Sequence, residues 1–260
     1  MTARVPDDES PLSFCVVIPM YNEESGAGRC VREVSAVLDK LPERSRLIVV
    51  EDGSRDGTRE TLERLTAEAP KLMVLPHTRN LGYGKALRTG VEQAVREHFD
   101  YVLFMDSDLT NDPTDIPRFV MEMKRGTDMI KASRYTGNGR MEGVPFARAI
   151  VSRVGNLVAR FLFGVGLRDC TNGFRAVRVP ILEKMDLREN GFAIIVEELY
   201  QAKFLASTYA EVPVVLMNRS SELRPTSFSY KPGTFIRYLR YAMKARLGIH
   251  PTPGVDTNAN

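Results

Sequence analysis

The sequence predicts an α/β sandwich of βαβ units around a mainly parallel central sheet. Short β-branched runs alternate with amphipathic segments of helix length, which is the pattern of strands joined by crossover helices. Each run also stops at a polar cluster. Right-handed crossovers bring such clusters to one sheet edge, beyond the carboxyl ends of the strands, where ligands bind in this architecture.

Phe14-Cys-Val-Val-Ile18 reads as the first strand and stops at Pro19-Met-Tyr-Asn-Glu-Glu24. Val31, Val34, Val37, Leu38 and Leu41 then share one helix face, ended by Pro42. Arg46-Leu-Ile-Val-Val50 is the second strand, closed by Glu51-Asp-Gly-Ser-Arg-Asp-Gly57. A helix over 58–69 stops at Pro70, and Leu72-Met-Val-Leu75 is the third strand. Asn80-Leu-Gly-Tyr-Gly-Lys85 leads into a helix over 86–98. The fourth strand, Tyr101-Val-Leu-Phe-Met-Asp-Ser-Asp-Leu109, ends in two carboxylates, Asp106 and Asp108.

Beyond the acidic motif come a helix over 115–124, a strand over 128–133 that ends at Arg134-Tyr135, and a glycine-rich loop over 136–143 expected to be mobile. The next helix begins near Pro145. On its wheel Arg148, Ser152, Arg153, Asn156 and Arg160 share one arc, and Ile150, Val151, Val154, Leu157, Val158, Phe161 and Leu162 share the other. The apolar stripe is expected to face the core, while three arginines on one arc call for an anion. Asp169-Cys-Thr-Asn-Gly-Phe-Arg175 follows, then a helix over 192–206 carrying Glu197 and Glu198, and a strand over 210–217. The last helix, 233–247, sets Phe235, Ile236, Leu239, Ala242, Met243 and Leu247 against Arg237, Arg240 and Lys244. Basic residues opposite an apolar face suit an interfacial helix at anionic lipid, and equally a helix packed on the core.

With 260 residues, 43% apolar and 27% charged, the composition is that of an ordinary globular chain. One domain is expected over 13–230, with a donor half 13–112 and an acceptor half 113–230. The basic helix is assigned 231–249, and polar ends 1–12 and 250–260 are expected to be disordered. The three cysteines, Cys15, Cys30 and Cys170, lack metal-ligand spacing and suit free thiols in a reducing, cytoplasmic setting. No signal peptide or membrane-spanning run is visible in the sequence. Net charge is only +3, but Arg219, Arg224, Lys231, Arg237, Arg240, Lys244 and Arg246 face a single acid, Glu222, which favours an anionic partner.

Two carboxylates at the end of a buried strand are poorly solvated and repel each other unless a cation lies between them and an anionic ligand. Hard oxygen ligands with few protein donors suit Mg²⁺ or Mn²⁺ completed by water and diphosphate oxygens. Asn80 to Lys85 is not a P-loop, since no Ser or Thr follows the lysine. Its two glycines still let backbone approach a phosphate, and Lys85 supplies charge.

Val-Ile-Pro-Met-Tyr-Asn-Glu-Glu (17–24), Val-Val-Glu-Asp-Gly-Ser-Arg-Asp-Gly-Thr (49–58), Asn-Leu-Gly-Tyr-Gly-Lys-Ala (80–86) and Met-Asp-Ser-Asp-Leu (105–109) together resemble an inverting family 2 glycosyltransferase. The resemblance implies a GT-A, Rossmann-like fold and a nucleotide-sugar donor such as GDP-mannose or a UDP-hexose. It places Pro19, Tyr21, Glu23 and Asp52 around the nucleoside, Gly82 and Lys85 at the donor site, and Asp106 and Asp108 at metal and diphosphate. Ser-Arg-Tyr (133–135), Arg148 with Ser152, Arg153 and Asn156, and the 169–175 motif are similar to polyprenyl-phosphate sugar transferases, including dolichyl-phosphate mannose synthases. That similarity implies a polyprenyl phosphate acceptor met by Arg134, Arg148 and Ser152, with Arg134 also catalytic. Arg224 and Ser227 match the same group's acceptor loop, although its Gly and adjacent Lys are missing. Thr110 stands where these synthases commonly carry Gln.

Two rival readings remain at the level of sequence. A hydroxyl acceptor needs a base, for which Glu197 or Glu198 is the candidate. A non-catalytic module binding a membrane surface or nucleic acid explains the basic end but not the carboxylates, and no nucleic-acid-binding motif is present. The lipid-acceptor reading makes the protein peripheral at the cytoplasmic face of a membrane, with room for a separate membrane-protein partner.

Overall fold

The structure, a computed structural model, describes residues 11–144, 146–217 and 232–251. The opening units follow the expected order: β1 (Ser13–Met20), α1 (Glu24–Leu38), β2 (Arg44–Glu51), α2 (Thr58–Leu65), β3 (Leu72–Pro76), α3 (Tyr83–Arg96) and β4 (Tyr101–Phe104). A 3₁₀ turn (Pro113–Asp115), α4 (Ile116–Lys124) and β5 (Met129–Ser133) come next. They lead to β6 (Arg140–Met141), α5 (Phe146–Phe163), β7 (Arg175–Arg178) and α6 (Val179–Leu182). The chain continues through α7 (Ile194–Leu205), β8 (Tyr209–Pro213), β9 (Val215–Leu216) and α8 (Pro232–Arg246).

The main sheet has the order β3-β2-β1-β4-β7-β5-β8, and β6 pairs with β9 in a small second sheet. All pairings among β1 to β4 are parallel, as is β5 with β8. Strand β7 alone runs antiparallel to its neighbours β4 and β5.

The two faces of β1 divide the core. Phe14, Val16, Ile18 and Met20 pack with Val31 and Val34 of α1, Leu62 of α2 and Phe119 of α4. Cys15 and Val17 pack on the opposite face with Ala86 and Leu87 of α3 and Leu199 of α7. This alternation follows from the period of two along a strand, and burial on both faces explains the unbroken apolar runs. The three cysteines are buried free thiols.

Helix α5 corrects the sequence expectation. Asn156 of its polar arc is buried, whereas Ile150, Val151, Val154, Leu157, Val158 and Phe161 are exposed. Asn156 turns inward while Arg153 and Arg160 of the same arc stay exposed, and the buried amide finds the partners it needs: Asn156 Nδ2 donates to Thr171 Oγ1 at 3.0 Å and its Oδ1 accepts from the Cys170 amide at 2.8 Å. The single strand expected over 210–217 is two, β8 and β9, which belong to different sheets.

Candidate functional site

The carboxyl ends of β1, β2 and β4 open on a cleft of about 640 Å³, within the range of small-molecule sites. Pro19 lies near the end of β1, Tyr21 and Glu23 follow it, Asp52 follows β2, Gly82 precedes α3, and Asp106 and Asp108 follow β4; all seven line this cleft. The structure therefore brings the expected donor-side residues together, with the exception of Lys85.

Asp52 is a buried organiser. Its carboxylate accepts from the amides of Leu81 and Gly82, each at 2.9 Å, and lies 2.7 Å from His77 Nδ1. His77 Nε2 in turn meets Thr89 Oγ1 at 3.0 Å, so the loop after β3 is tied to the end of β2. Gly82 has φ +96°, and a Cβ there would meet the Asn190 carbonyl oxygen at 2.5 Å. Its freedom thus serves a close backbone contact with residue 190. Lys85 points elsewhere: its Nζ pairs with Glu92 at 3.0 Å on the surface of α3, away from the cleft lining.

The acidic motif is held from both sides. Tyr83 Oη donates to Asp106 Oδ1 at 2.9 Å, and its ring stacks on Phe192 at 4.4 Å. Burial, then the neighbouring Asp106 charge, raises the Tyr83 phenol well above its usual value, so it remains a donor. Thr110 gives Asp108 Oδ1 two hydrogen bonds, from its amide at 3.1 Å and its hydroxyl at 2.8 Å. Gly173 completes the floor: a Cβ there would lie 3.0 Å from Asp106 Oδ2. Among the described residues no group of three or more His, Cys, Asp or Glu converges. Two cleft-facing carboxylates fit a hard cation that takes its remaining ligands from water and a diphosphate.

The far side behaves differently. Arg134 Nε and Nη2 grip Asp169 at 2.7 and 2.8 Å, and Nη2 also donates to Thr171 at 3.1 Å. Burial alone would raise the Asp169 carboxyl, but Arg134 overrides it and holds it below the usual range. Arg134 does not line the cleft. Its planar fork is instead matched by a buried carboxylate. Ser152 meets the Tyr135 hydroxyl at 2.8 Å. Arg148 belongs to α5, with its side chain outside what is described, and Arg224 and Ser227 lie outside the described residues.

Neither candidate base reaches the cleft. Glu198 is fully buried and bidentate with Arg175, at 2.6 and 2.7 Å. Glu197 accepts from the amides of Arg188 and Glu189 and from Tyr241 Oη. Beneath the same floor Lys131 donates to the Asn172 carbonyl at 2.9 Å, and burial, aided by Arg175, pushes its pKa down to about 8.

Sequence reasoning missed one wall of the cleft. Asn190, Gly191 and Phe192 before α7, with Thr234, Arg237 and Tyr238 of α8, close it. The first three carry no charge signal. The α8 residues were visible only as a basic helix, since its place beside the cleft depends on long-range packing.

Residues 15–186 match Glycosyl transferase family 2. Polyprenol monophosphomannose synthase of Mycolicibacterium smegmatis is 28% identical over 89% of this chain and 88% of its own length. Undecaprenyl-phosphate mannosyltransferase of Micrococcus luteus is 29% identical over 88% of this chain and 94% of its own. Dolichol-phosphate mannosyltransferase of Pyrococcus furiosus is 31% identical over 88% of this chain and 62% of its own. Glucosyl-3-phosphoglycerate synthase of Mycobacterium tuberculosis, solved with Mn²⁺ and UDP, superposes with a TM-score of 0.65 at 20% identity, over 94% of this chain and 82% of that one. Sheet order, cleft position, acidic motif and these likenesses agree: the chain is a glycosyltransferase with the GT-A fold and belongs to glycosyl transferase family 2.

Proposed function

We propose that the protein transfers a hexose, with mannose favoured, from GDP-mannose or a UDP-hexose to the phosphate of a polyprenyl lipid, with inversion. The observation that carries this reading is the convergence of Asp106 and Asp108 with Tyr21, Glu23 and Asp52 in one cleft. The acceptor is supported by three relatives whose names specify mannose and a prenol phosphate.

In this reading a phosphate oxygen of the acceptor attacks the anomeric carbon while the bond to the nucleoside diphosphate breaks. The acceptor is already ionised near neutral pH, so no general base is required. This suits a site in which Glu197 and Glu198 are engaged internally, and it leaves the hydroxyl-acceptor reading without its candidates. Mg²⁺ or Mn²⁺ bound at Asp106 and Asp108 would offset the charge of the leaving diphosphate. Tyr83 and Thr110 orient those two carboxylates. Asp52 holds the loop that borders the donor. Arg237, the cation among the described lining residues, offers positive charge to either anion. Arg148, Ser152, Arg224 and Ser227 stay assigned to the acceptor side. Among the described residues no helix is long and apolar enough to cross a membrane, which fits peripheral association through α8 or a separate membrane-protein partner.

The test is an extraction assay with radiolabelled donor, a short polyprenyl phosphate and Mn²⁺ or Mg²⁺. Label from GDP-mannose is expected to enter the organic phase. Label that stays aqueous with GDP-mannose and UDP-hexoses alike overturns the acceptor assignment.

A further inference from the structure

Beneath the cleft the main sheet sets three charged residues side by side. Lys131 of β5 lies opposite Arg175 of β7 on one side and Glu211 of β8 on the other. An ion taken out of water needs an opposite charge in contact with it. Arg175 has one in Glu198, whose two oxygens it grips, and Arg134 has one in Asp169. Lys131 is wholly buried and, among the described residues, pairs with no carboxylate. Those nearby are taken. Asp169 accepts from Arg134 and from the amides of Thr171 and Asn172, and Glu211, partly open to solvent, accepts from the amides of Arg168 and Asp169. Lys131 is therefore the cation left over.

Its ammonium donates instead to the Asn172 carbonyl, at 2.9 Å. That bond falls on the segment that floors the cleft, because Thr171 and Gly173, on either side of Asn172, line it. Arg175 Nη1 takes the next carbonyl, that of Gly173, at 2.8 Å. Two cations thus hold consecutive carbonyls from below. They keep Gly173 so close to the acidic motif that a Cβ on it would lie 3.0 Å from Asp106 Oδ2. Burial, then repulsion from Arg175, brings the Lys131 pKa down to about 8, against the pull of Glu198, Asp169 and Cys170.

We propose that Lys131 is a positioning residue for the transfer reaction, its ammonium fixing the Asn172–Gly173 floor under Asp106 and supplying from below positive charge that the donor's diphosphate meets. Inside the protein such a charge is screened far less than at the surface, so it acts through the floor without touching the ligand. The floor role stands on the hydrogen bonds alone; the diphosphate role rests on the proposed donor. The sequence gives no sign of it, because a lone lysine in a strand reads as a solvent-facing residue.

Lys131→Met removes both charge and donor at similar length, whereas Lys131→Gln removes the charge and keeps a donor. Melting temperatures of both are expected to equal or exceed that of the wild type, since a buried charge without a carboxylate partner is lost. Hydrogen exchange of the 169–175 amides, read without ligand, is expected to quicken about tenfold in Lys131→Met and to stay near wild type in Lys131→Gln. Binding of GDP and of UDP with Mn²⁺ is then measured by calorimetry in buffers of different ionisation enthalpy. The wild type is expected to bind about tenfold more tightly than either variant at neutral pH, an advantage that shrinks as pH rises through about 8 and the ammonium loses its proton. Near that pH the wild type alone is expected to take up protons on binding. Unchanged exchange in Lys131→Met, or equal affinity in all three proteins, overturns the assignment. An advantage that is the same at every pH overturns it in favour of packing, and a marked drop in melting temperature in both variants makes Lys131 structural. Wild type that binds neither nucleotide would sink the proposed donor, and the exchange result would then decide the floor role by itself.

Discussion

The segment up to Asp112 and the segment after it use charge in opposite ways. Before Asp112, carboxylates at strand ends line the cleft, as at Glu23, Asp52, Asp106 and Asp108. After it, the conspicuous charges turn inward and pair with one another: Arg134 with Asp169, and Arg175 with Glu198. Strand direction accounts for the difference. A parallel strand delivers whatever follows it to the ligand edge, whereas antiparallel β7 begins at that edge. Its register places Arg175 opposite Phe104, so the charge sits below the floor and Gly173 meets Asp106.

If the later charges are scaffold, damage to them must appear first as lost stability. Arg175→Met leaves Glu198 buried without its partner and is expected to cost about 3–5 kcal/mol, read by urea unfolding. The double variant Arg175→Met/Glu198→Leu should recover much of that loss, since an apolar pair of similar volume replaces two desolvated charges. A stable single variant with lost turnover would move Arg175 into the catalytic machinery.

Asp169→Asn tests the second pair through pH. The folded carboxyl lies below its ordinary value, so its stabilisation is present above the unfolded pKa near 3.9 and is lost as pH falls through the lower folded one. The stability gap between wild type and variant is expected to be about 3 kcal/mol at neutral pH and to narrow below about pH 4. A gap that stays constant with pH would mean that shape, not charge, holds the 169–172 loop.

On the other side of the comparison, Asp108→Asn should leave unfolding nearly unchanged and reduce kcat by about a hundredfold, because it weakens a cleft-lining carboxylate that is proposed to hold a cation at the donor diphosphate. Near-normal turnover would remove Asp108 from the metal site. Tyr83→Phe is milder. Loss of one hydrogen bond to Asp106 is worth about 1 kcal/mol, so Mn²⁺ is expected to be needed at about fivefold higher concentration for half-maximal rate, with little change in melting.

The same contrast explains what was legible in the sequence. β1, β2 and β4 announced themselves because strands buried on both faces read as unbroken apolar runs that end where the backbone meets the cleft. β7 did not, because it is four residues long and has arginine at both ends. The burial of Asn156 on α5 was equally hidden. Its stripe has the spacing of a core helix, and only the bonds from Asn156 to Thr171 and Cys170, contacts distant in sequence, decide which face is inside.

Lys85 is where the comparison is easiest to break, and its expected effect is the smallest. It belongs to the donor-side loop by sequence, yet its ammonium pairs with Glu92 on an exposed helix face, where such pairs are worth about 0–1 kcal/mol. Lys85→Ala is therefore expected to change stability by less than about 0.5 kcal/mol and the donor KM by less than about twofold. A KM raised about tenfold at unchanged stability would mean that the lysine leaves Glu92 when donor arrives, since the surface pair is weak enough for a diphosphate to outcompete it. In that event the early loop would hold an anion after all. The contrast between the segments would then rest on Arg134 and Arg175, whose partners are buried and cannot be exchanged at that cost.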